Sequence, residues 1–369
     1  MIHIVTHPLI GNYGGMLQAF ALQRAVAGLG HSVKVCDEVP EFAKSGYFSR
    51  GRRVRWNQCK EIINIILGRL TYTPAFLKYK VAKSFKTAFM EVSNKSEIAA
   101  GDSFIIGSDQ VWRLEYTRTY SGAEHFFLDF ATPEQRQRSI AYAASYGTDK
   151  WEGTPEETET CRALLQAFKA VSVREESGIG LCREIFGVEA LQMPDPTLLL
   201  NAGEYSNLIN KSRTRKPCSR YMADYVLDSA PEIQQLLEAT ARQQNMYRQH
   251  LMPHVHAEKC RDRFPMSVPQ WLRCIRDSQY MITDSFHGCV FSIIFNRPFI
   301  CLGNAARGSS RFDTLLKTFG LQGRMLTEPT PQAVEELIST PIDWAGVNAR
   351  IEDERRRGLQ FLQQYLPQA

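Results

Sequence analysis

The sequence predicts an α/β protein of two parallel, doubly wound domains that face each other across a central cleft. Short apolar strands alternate with helical segments along most of the chain, as in parallel sheets covered by helices. The alternation breaks at Pro194-Asp195-Pro196, where the two prolines preclude a helix, and then resumes. Several strands also stop at polar clusters, which is where open α/β sheets bind ligands.

The size of the chain fits two such domains. Its 369 residues, of which 44% are hydrophobic and 22% charged, are typical of a globular protein with room for two cores. The expected organisation is an N-terminal Rossmann-like domain over residues 1–199, a C-terminal Rossmann-like domain over 200–345 and a C-terminal helix over 346–369.

The first half opens with a strand at residues 2–5 and a glycine-rich turn around Asn12, after which a helix begins and ends near Gly30. The glycine spacing is not the dinucleotide fingerprint. Asp37, after the second strand, stands where a ribose-binding acid would be expected. Further strands are expected at 104–106, 139–144, 170–173 and 190–193, and helices around 62–67, 78–89, 156–168 and up to 186.

The second half repeats this alternation. Its strands are expected at 220–227, 246–252, 280–282 and 299–302, and its helices at 231–243, 267–277, 286–295, 309–319, 331–339 and 346–365. The segment 286–295 is apolar almost all round but too short to cross a bilayer, so it predicts a buried helix.

The start of that buried helix is a predicted anion site. Asp284, Ser285 and His287 stand between a strand end and a helix N-terminus, where unpaired N–H groups and the helix dipole favour negative charge. The alternative is that Asp284 or Ser285 only caps the helix and His287 is an incidental first-turn residue.

Charge and cysteine usage narrow the class of protein. The net charge of +5 suits an anionic substrate or an anionic membrane surface and argues against a nucleic-acid partner. The basic run 50–55 could touch lipid head groups, although a solvated loop is the simpler interpretation. Nine cysteines without a closely spaced pair indicate a reducing compartment. We therefore expect a cytoplasmic protein and leave contact with the inner face of the membrane open; no pattern indicates an oligomeric state.

Polar side chains recur at the predicted strand ends, and in two facing domains they would line one cleft. They are Asn12, Gln18, Ser108, Asp109, Gln110, Arg174, Asp195, Asp284, Ser285 and His287. Any one of them alone could be a cap or a turn residue. Together they offer cations for an anion and carboxylates for acid–base work, which predicts transfer chemistry on a phosphorylated or carboxylated small molecule.

A metal site is not expected. His254, His256 and Cys260 resemble a ligand set but lack a fourth ligand, and loop histidines are the simpler interpretation. We expect neither a metal ion nor a cofactor.

Six segments, in chain order, resemble the polysaccharide pyruvyl transferase family over most of residues 1–325. They are GNYGGMLQAFALQ, FIIGSDQVW, IAYAASYG, VSVREESG, PDPTLLL and DSFHGCVFSIIFNRPF. The resemblance implies a GT-B-like fold and transfer of pyruvate from phosphoenolpyruvate, the donor substrate, onto two hydroxyls of a sugar as a cyclic ketal. The acceptor would belong to a capsule or exopolysaccharide, or to its lipid-linked precursor.

The resemblance also implies roles for individual residues. His287 would be the general acid and Asp109 the base for the sugar hydroxyls. Some members carry Arg-Leu-His where this chain has Ser285-Phe286-His287, and Arg311 is expected to replace that arginine. The implied substrate-binding residues are Arg174, Ser285, Asp284, Arg311, Asn12, Gly14, Gly15, Gln18, Ser108 and Gln110.

Two other classes of function stay open. One is a GT-B glycosyltransferase that uses a nucleotide sugar, suggested by the fold and by Asp37. The other is a sugar-binding or scaffold protein that keeps the fold without the chemistry.

Overall fold

The structure, a computed structural model, describes residues 1–37, 52–67, 69, 73–118, 121–217, 220–228, 230–253, 260–303 and 309–368. Within these ranges the strands form two sheets, and every pair of neighbouring strands is parallel. This arrangement confirms the predicted α/β class with two Rossmann-type halves, which is the architecture of a GT-B-like fold.

The first sheet has seven strands in the order β3-β2-β1-β4-β5-β6-β7. Their bounds are β1 Ile2–Val5, β2 Val33–Cys36, β3 Val92–Ser93, β4 Ser103–Ile106, β5 Ile140–Ala144, β6 Ala170–Val173 and β7 Ala190–Gln192. The strand order reverses between β1 and β4, so a crevice opens beyond the carboxyl ends of these two strands.

The second sheet has five strands in the order β12-β11-β10-β8-β9. Their bounds are β8 Tyr221–Tyr225, β9 Tyr247–His250, β10 Tyr280–Thr283, β11 Phe299–Leu302 and β12 Met325–Leu326. Here the order reverses between β8 and β10. The turns after these two strands are therefore the ligand-binding positions of the second half.

Helices cover both sheets. The longer ones are Tyr13–Gly28, Arg52–Ile66, Ala75–Phe89, Pro155–Leu165, Glu176–Phe186, Ala202–Asn210, Pro231–Gln243, Val268–Arg276, Phe286–Ile294, Ser310–Phe319, Pro331–Ser339 and Trp344–Tyr365. Single-turn helices lie at Leu114–Thr117 and Pro133–Arg136, and 3-10 turns at Lys95–Glu97, His125–Phe127, Pro196–Leu199, Cys260–Arg263 and Gln322–Arg324. No described helix is long and apolar enough to cross a membrane.

Several elements differ from the sequence prediction. The helix Ala202–Asn210 and the two-residue strands β3 and β12 were not expected. The helix Ala202–Asn210 begins with a capping box, in which the side chains of Asn201 and Glu204 each accept a hydrogen bond from the other's backbone N–H. The helix expected near residues 62–67 is the end of a longer one that begins at Arg52.

The two halves are joined in two places. In the first helix the Tyr13 phenol donates to the Met266 carbonyl at 2.8 Å, and its ring stacks on Trp271 with centroids 5.4 Å apart. The C-terminal helix Trp344–Tyr365 returns to the first half. There Phe361 packs against Tyr142 with centroids 5.9 Å apart. These contacts bring the two crevices together.

Candidate active site

The two crevices form one cleft of about 760 Å³ between the halves. Its walls are the turns after β1, β4, β8 and β10, together with side chains from neighbouring helices. The expected site residues that line it are Asn12, Asp109, Gln110, Asp284, Ser285, His287 and Arg311. Residues from both ends of the chain therefore meet at the place where a doubly wound sheet binds ligands.

Glycine in the first turn brings the two halves into contact. A Cβ atom on Gly14 would lie 2.0 Å from Nδ1 of His287, so only glycine fits beside the imidazole. A Cβ on Gly15 would lie 3.3 Å from Oδ2 of Asp109. Asn12 caps the helix by accepting a hydrogen bond from the Gly15 N–H at 3.3 Å, and its amide nitrogen lies 3.5 Å from Asp109 Oδ2.

Asp109 has a backbone conformation that is rare for a residue with a side chain. Its φ is +80°, and its carbonyl accepts from the Ser145 N–H at 3.1 Å. Strain of this kind costs roughly 1–3 kcal/mol and concentrates at functional sites. Burial by itself would raise the pKa of Asp109, but the neighbouring His7, Arg174 and His287 outweigh it and hold the pKa below its ordinary value.

Several buried polar side chains behind the cleft contact the carboxylate of Asp195. Arg174 Nη1 donates to Asp195 Oδ2 at 2.9 Å, and His287 Nε2 lies 3.5 Å from the same oxygen. The Ser108 hydroxyl donates to that oxygen at 3.3 Å. Burial opposes the negative charge, but His287 and Arg174, with a hydrogen bond from Thr197, hold the pKa of Asp195 far below its usual range. The carboxylate thus links the two halves through His287.

The ring of Phe286 lies beside two guanidinium groups. The guanidinium carbon of Arg174 is 4.4 Å from the ring centroid and that of Arg311 is 5.9 Å away. Both arginines are buried. Burial first, and the charge of Arg174 second, lower the pKa of Arg311 to about 10.

Arg174 also keeps unused hydrogen-bond donors. Its Nε and Nη2 atoms are buried without a partner, which costs free energy unless an acceptor arrives. Arg174, Asp195, Phe286 and Arg311 line a small cavity of about 20 Å³ beside the cleft, and Phe286 and Arg311 line the cleft as well. Two close cations, with unused donors on Arg174, make an anion-binding centre.

Two of the expected substrate-binding residues, Asp284 and Ser285, serve the local structure. Both carboxylate oxygens of Asp284 accept backbone hydrogen bonds, from Leu227 at 2.7 Å and Asp228 at 2.9 Å. Ser285 caps the helix Phe286–Ile294 by accepting from Gly288, so the capping interpretation holds for Ser285. Both residues still line the cleft.

Gln18 and Ser108 lie outside the cleft lining. Gln18 is fully buried and donates to the Thr6 hydroxyl at 2.9 Å. Ser108, also fully buried, is part of the group around Asp195. Gln110 lines the cleft, and its side-chain oxygen accepts from Arg113 at 3.3 Å.

Sequence reasoning missed Phe286 as the contact of both arginines, and it missed Lys78, Tyr79 and Tyr116 in the cleft wall. Lys78 and Tyr79 come from a helix, so a search of strand ends does not find them. Asp37, the hint of a ribose site, forms an ion pair with Lys86.

The histidines considered for a metal site, His254 and His256, lie outside the described residues. Among the residues that the structure describes, no three His, Cys, Asp or Glu side chains are grouped closely enough to hold a metal ion.

Comparison with known families decides which proteins this chain resembles. A family model described as polysaccharide pyruvyl transferase matches residues 12–305, which include Asn12 and the turns after β4, β8 and β10. The chain belongs to the polysaccharide pyruvyl transferase family. Its members are enzymes, and the family assignment supports a role in polysaccharide pyruvylation. No curated protein matches this pyruvyl transferase.

Solved structures similar to the pyruvyl transferase over its whole length share little sequence with it. The UDP-N-acetylglucosamine 2-epimerase from Rickettsia bellii is 10% identical, covers 99% of this chain and 96% of its own, and has a TM-score of 0.49. The glycotransferase of kitacinnamycin is 12% identical, covers 99% of both chains and has a TM-score of 0.46.

Proposed function

We propose that this pyruvyl transferase moves pyruvate from phosphoenolpyruvate onto two hydroxyls of one sugar and closes a cyclic ketal. The sugar would be part of a cell-surface polysaccharide or of its lipid-linked precursor. The observation that carries the proposal is the pair of buried guanidiniums at Phe286, with two unused donors on Arg174. A donor that bears both a phosphate and a carboxylate offers acceptors for these unused donors, and its charge is opposite to that of the two guanidiniums.

His287 is the proton donor of the proposed reaction. It lines the cleft, and Asp195 and Gly14 hold its ring from two sides. A carboxylate that contacts a histidine orients the ring. Transfer of that proton to the methylene carbon of the donor leaves an electron-poor C2.

Asp109 is the carboxylate that faces the acceptor. Its lowered pKa keeps it ionised at neutral pH, so it can hold a sugar hydroxyl by its proton. The first hydroxyl bonds to C2 and gives its proton to Asp109. The C2–O bond to phosphate then breaks, the second hydroxyl bonds to C2, and its proton leaves with the phosphate. Asp109 then gives its proton to the solvent and His287 takes one up, which restores both groups for the next turnover. Over the whole cycle one hydroxyl proton replaces the one that His287 gave to the new methyl group, and the other leaves with phosphate.

The donor and acceptor classes favour a cytoplasmic enzyme that works at the inner face of the membrane. The decisive experiment measures inorganic phosphate released from phosphoenolpyruvate with and without candidate sugar acceptors, and checks the product for a ketal by mass spectrometry. We expect acceptor-dependent phosphate release. Release of a nucleoside diphosphate from a nucleotide sugar instead would assign the cleft to glycosyl transfer.

A substitution at Arg174 tests the donor site. Truncation to alanine would leave Asp195 buried without its cation, which costs roughly 3–5 kcal/mol of stability and confounds the assay. Arg174→Lys keeps the charge but removes two of the donors. We expect the donor KM to rise about ten- to a hundredfold, since a hydrogen bond to a charged group is worth about 1.5–3 kcal/mol.

The matched control is Arg324→Lys. Arg324 is buried in the second half and donates to the carbonyls of Leu337, Thr340 and Pro341, away from the cleft. It should lose stability but keep the donor KM. An unchanged KM in Arg174→Lys would remove this arginine from the donor site.

A further inference from the structure

The exposed apolar side chains of the chain are concentrated in one short segment. Of the nine large hydrophobic residues that are exposed among the described residues, four lie between residues 56 and 67. They are Trp56, Ile63, Ile66 and Leu67, exposed by 63%, 53%, 49% and 53%. Single exposed hydrophobics need no explanation, but a group of this size on one helix indicates a contact surface.

These side chains share the outer face of one helix. Trp56, Lys60, Ile63 and Leu67 are spaced four, three and four apart, so they lie along one side of Arg52–Ile66 and its end. The opposite side is in use, because Ile65 is fully buried and Arg263 Nη1 donates to the carbonyls of Ile65 and Ile66. The apolar face therefore cannot turn inward.

The helix that carries this apolar face and the next long helix of the chain are both strongly basic in sequence. The helices Arg52–Ile66 and Ala75–Phe89 together hold eight Lys or Arg and one acidic residue, a net charge of +7. The whole chain carries only +5, so the rest of the molecule is slightly acidic. Lys60 lies over the Trp56 ring at 5.6 Å, and Lys80 and Lys83 are exposed on the second helix.

The same basic region reaches the cleft. Ala75, Lys78 and Tyr79 of the second helix line the cleft. The helix Arg52–Ile66 is bonded to Arg263 through the carbonyl of Ile66, and Pro265, two residues further along, lines the cleft. A partner bound to the outer face of these two helices would therefore lie near the cleft entrance.

We propose that Trp56, Lys60, Ile63, Ile66, Leu67, Lys80 and Lys83 form a docking surface for an anionic lipid bilayer. An apolar stripe flanked by lysines is the pattern of a helix that lies in the membrane interface, with its apolar side among the acyl chains and its charges at the head groups. A second copy of the chain is disfavoured as the occupant, since the two copies would bring equal positive charges together. The proposal does not depend on which reaction the cleft performs.

Vesicle binding by the full-length protein tests the docking surface. The protein is sedimented with vesicles of phosphatidylcholine alone or mixed with phosphatidylglycerol. We expect binding to the mixed vesicles, weak binding to the neutral ones, and release by salt. Trp56 is the exposed tryptophan among the five, all of which are described, so its emission should shift to the blue on binding.

Variants separate this surface from general stickiness. Ile63→Ser with Leu67→Ser, and separately Lys80→Glu with Lys83→Glu, should each weaken binding to the mixed vesicles by about tenfold or more. The control is Leu191→Ser, which removes a side chain of similar exposure, 49% against 53% for Ile63 and Leu67, elsewhere on the molecule. It should bind as the unaltered protein does.

Three outcomes would overturn the proposal. The first is no binding to either kind of vesicle, and the second is that Leu191→Ser weakens vesicle binding as much as the other variants do. The third is a dimer in light scattering that the Ile63 and Leu67 substitutions dissociate. That result would make this surface an interface between copies. Phosphate release from phosphoenolpyruvate with a water-soluble acceptor is measured on the same variants. Intact turnover without vesicle binding would reject the docking surface and leave the proposed reaction standing.

Discussion

At the scale of the residue, the contact between Gly14 and His287 is the most restrictive feature of the site. The imidazole occupies the space where any other side chain at position 14 would begin. A glycine in the first turn of a helix is usually a weak choice, because alanine forms helices better by about 1 kcal/mol. Here the missing side chain lets a residue of the second half rest on the first.

This contact predicts opposite effects for two substitutions in one helix. Gly14→Ala should displace the His287 ring and lower kcat by roughly a hundredfold or more, since the acid would leave its position. Gly28→Ala, with nothing within 4 Å of its new methyl group, should leave kcat unchanged. Turnover and melting temperature of both variants check the prediction. It fails if Gly14→Ala turns over normally.

His287 itself can be tested against the capping interpretation of its helix. If the imidazole is the acid, His287→Gln should lower kcat by roughly 10²–10⁴ while the donor KM changes less, because the arginines still bind the anion. His250→Gln is the control. That histidine also contacts an aspartate, Asp224 at 3.1 Å, but does not line the cleft. A near-normal kcat in His287→Gln would leave it a packing residue.

At the scale of the element, the strand ends were predictable and the helix contributions were not. The run before Thr283 and the polar turn after it mark a buried strand that stops at a ligand site, and the structure has β10 there. The segment after it, which is apolar almost all round, likewise predicted a buried helix, and the structure has Phe286–Ile294 there. The strands β3 and β12 have two residues each, too few for an alternation to be visible.

The side chains behind the cleft were harder to predict for a different reason. Asp195 was expected at a strand end, but its bonds to Arg174 and His287 depend on how the two halves pack. In the sequence, Phe286 is indistinguishable from the other apolar residues of the predicted buried helix. Tertiary packing alone makes it the contact of two arginines.

The buried carboxylate of Asp195, at the start of the 3-10 turn Pro196–Leu199, predicts that the stability of the protein depends on pH. Since the folded pKa of Asp195 is lowered, its contribution is present above the unfolded value of about 3.9 and is lost as the pH falls below it. The free energy of unfolding should therefore decrease as the pH is lowered from 6 to below about 3.9. Part of this decrease should be absent in Asp195→Asn. Urea unfolding of both proteins across this range is the measurement. An identical pH slope in the two would contradict the assignment.

At the scale of the whole molecule, the positive charge at the donor site comes from the protein itself. In the proposed donor site Arg174 and Arg311 would balance the charge of the phosphate without a divalent ion, so we expect turnover to survive a chelator. Phosphate release with and without the chelator, after dialysis, is the measurement. Activity that disappears and returns with one divalent ion would contradict this and direct attention to His254, His256 and Cys260.

The return of the last helix to the first half has a consequence for how the protein is made. Tyr142 lies in β5 of the first sheet, and Phe361, which packs against it, is synthesised only after the whole second sheet. The first half therefore cannot complete its core as it leaves the ribosome. It has to keep an apolar face open while the second half folds, and the two halves become stable together.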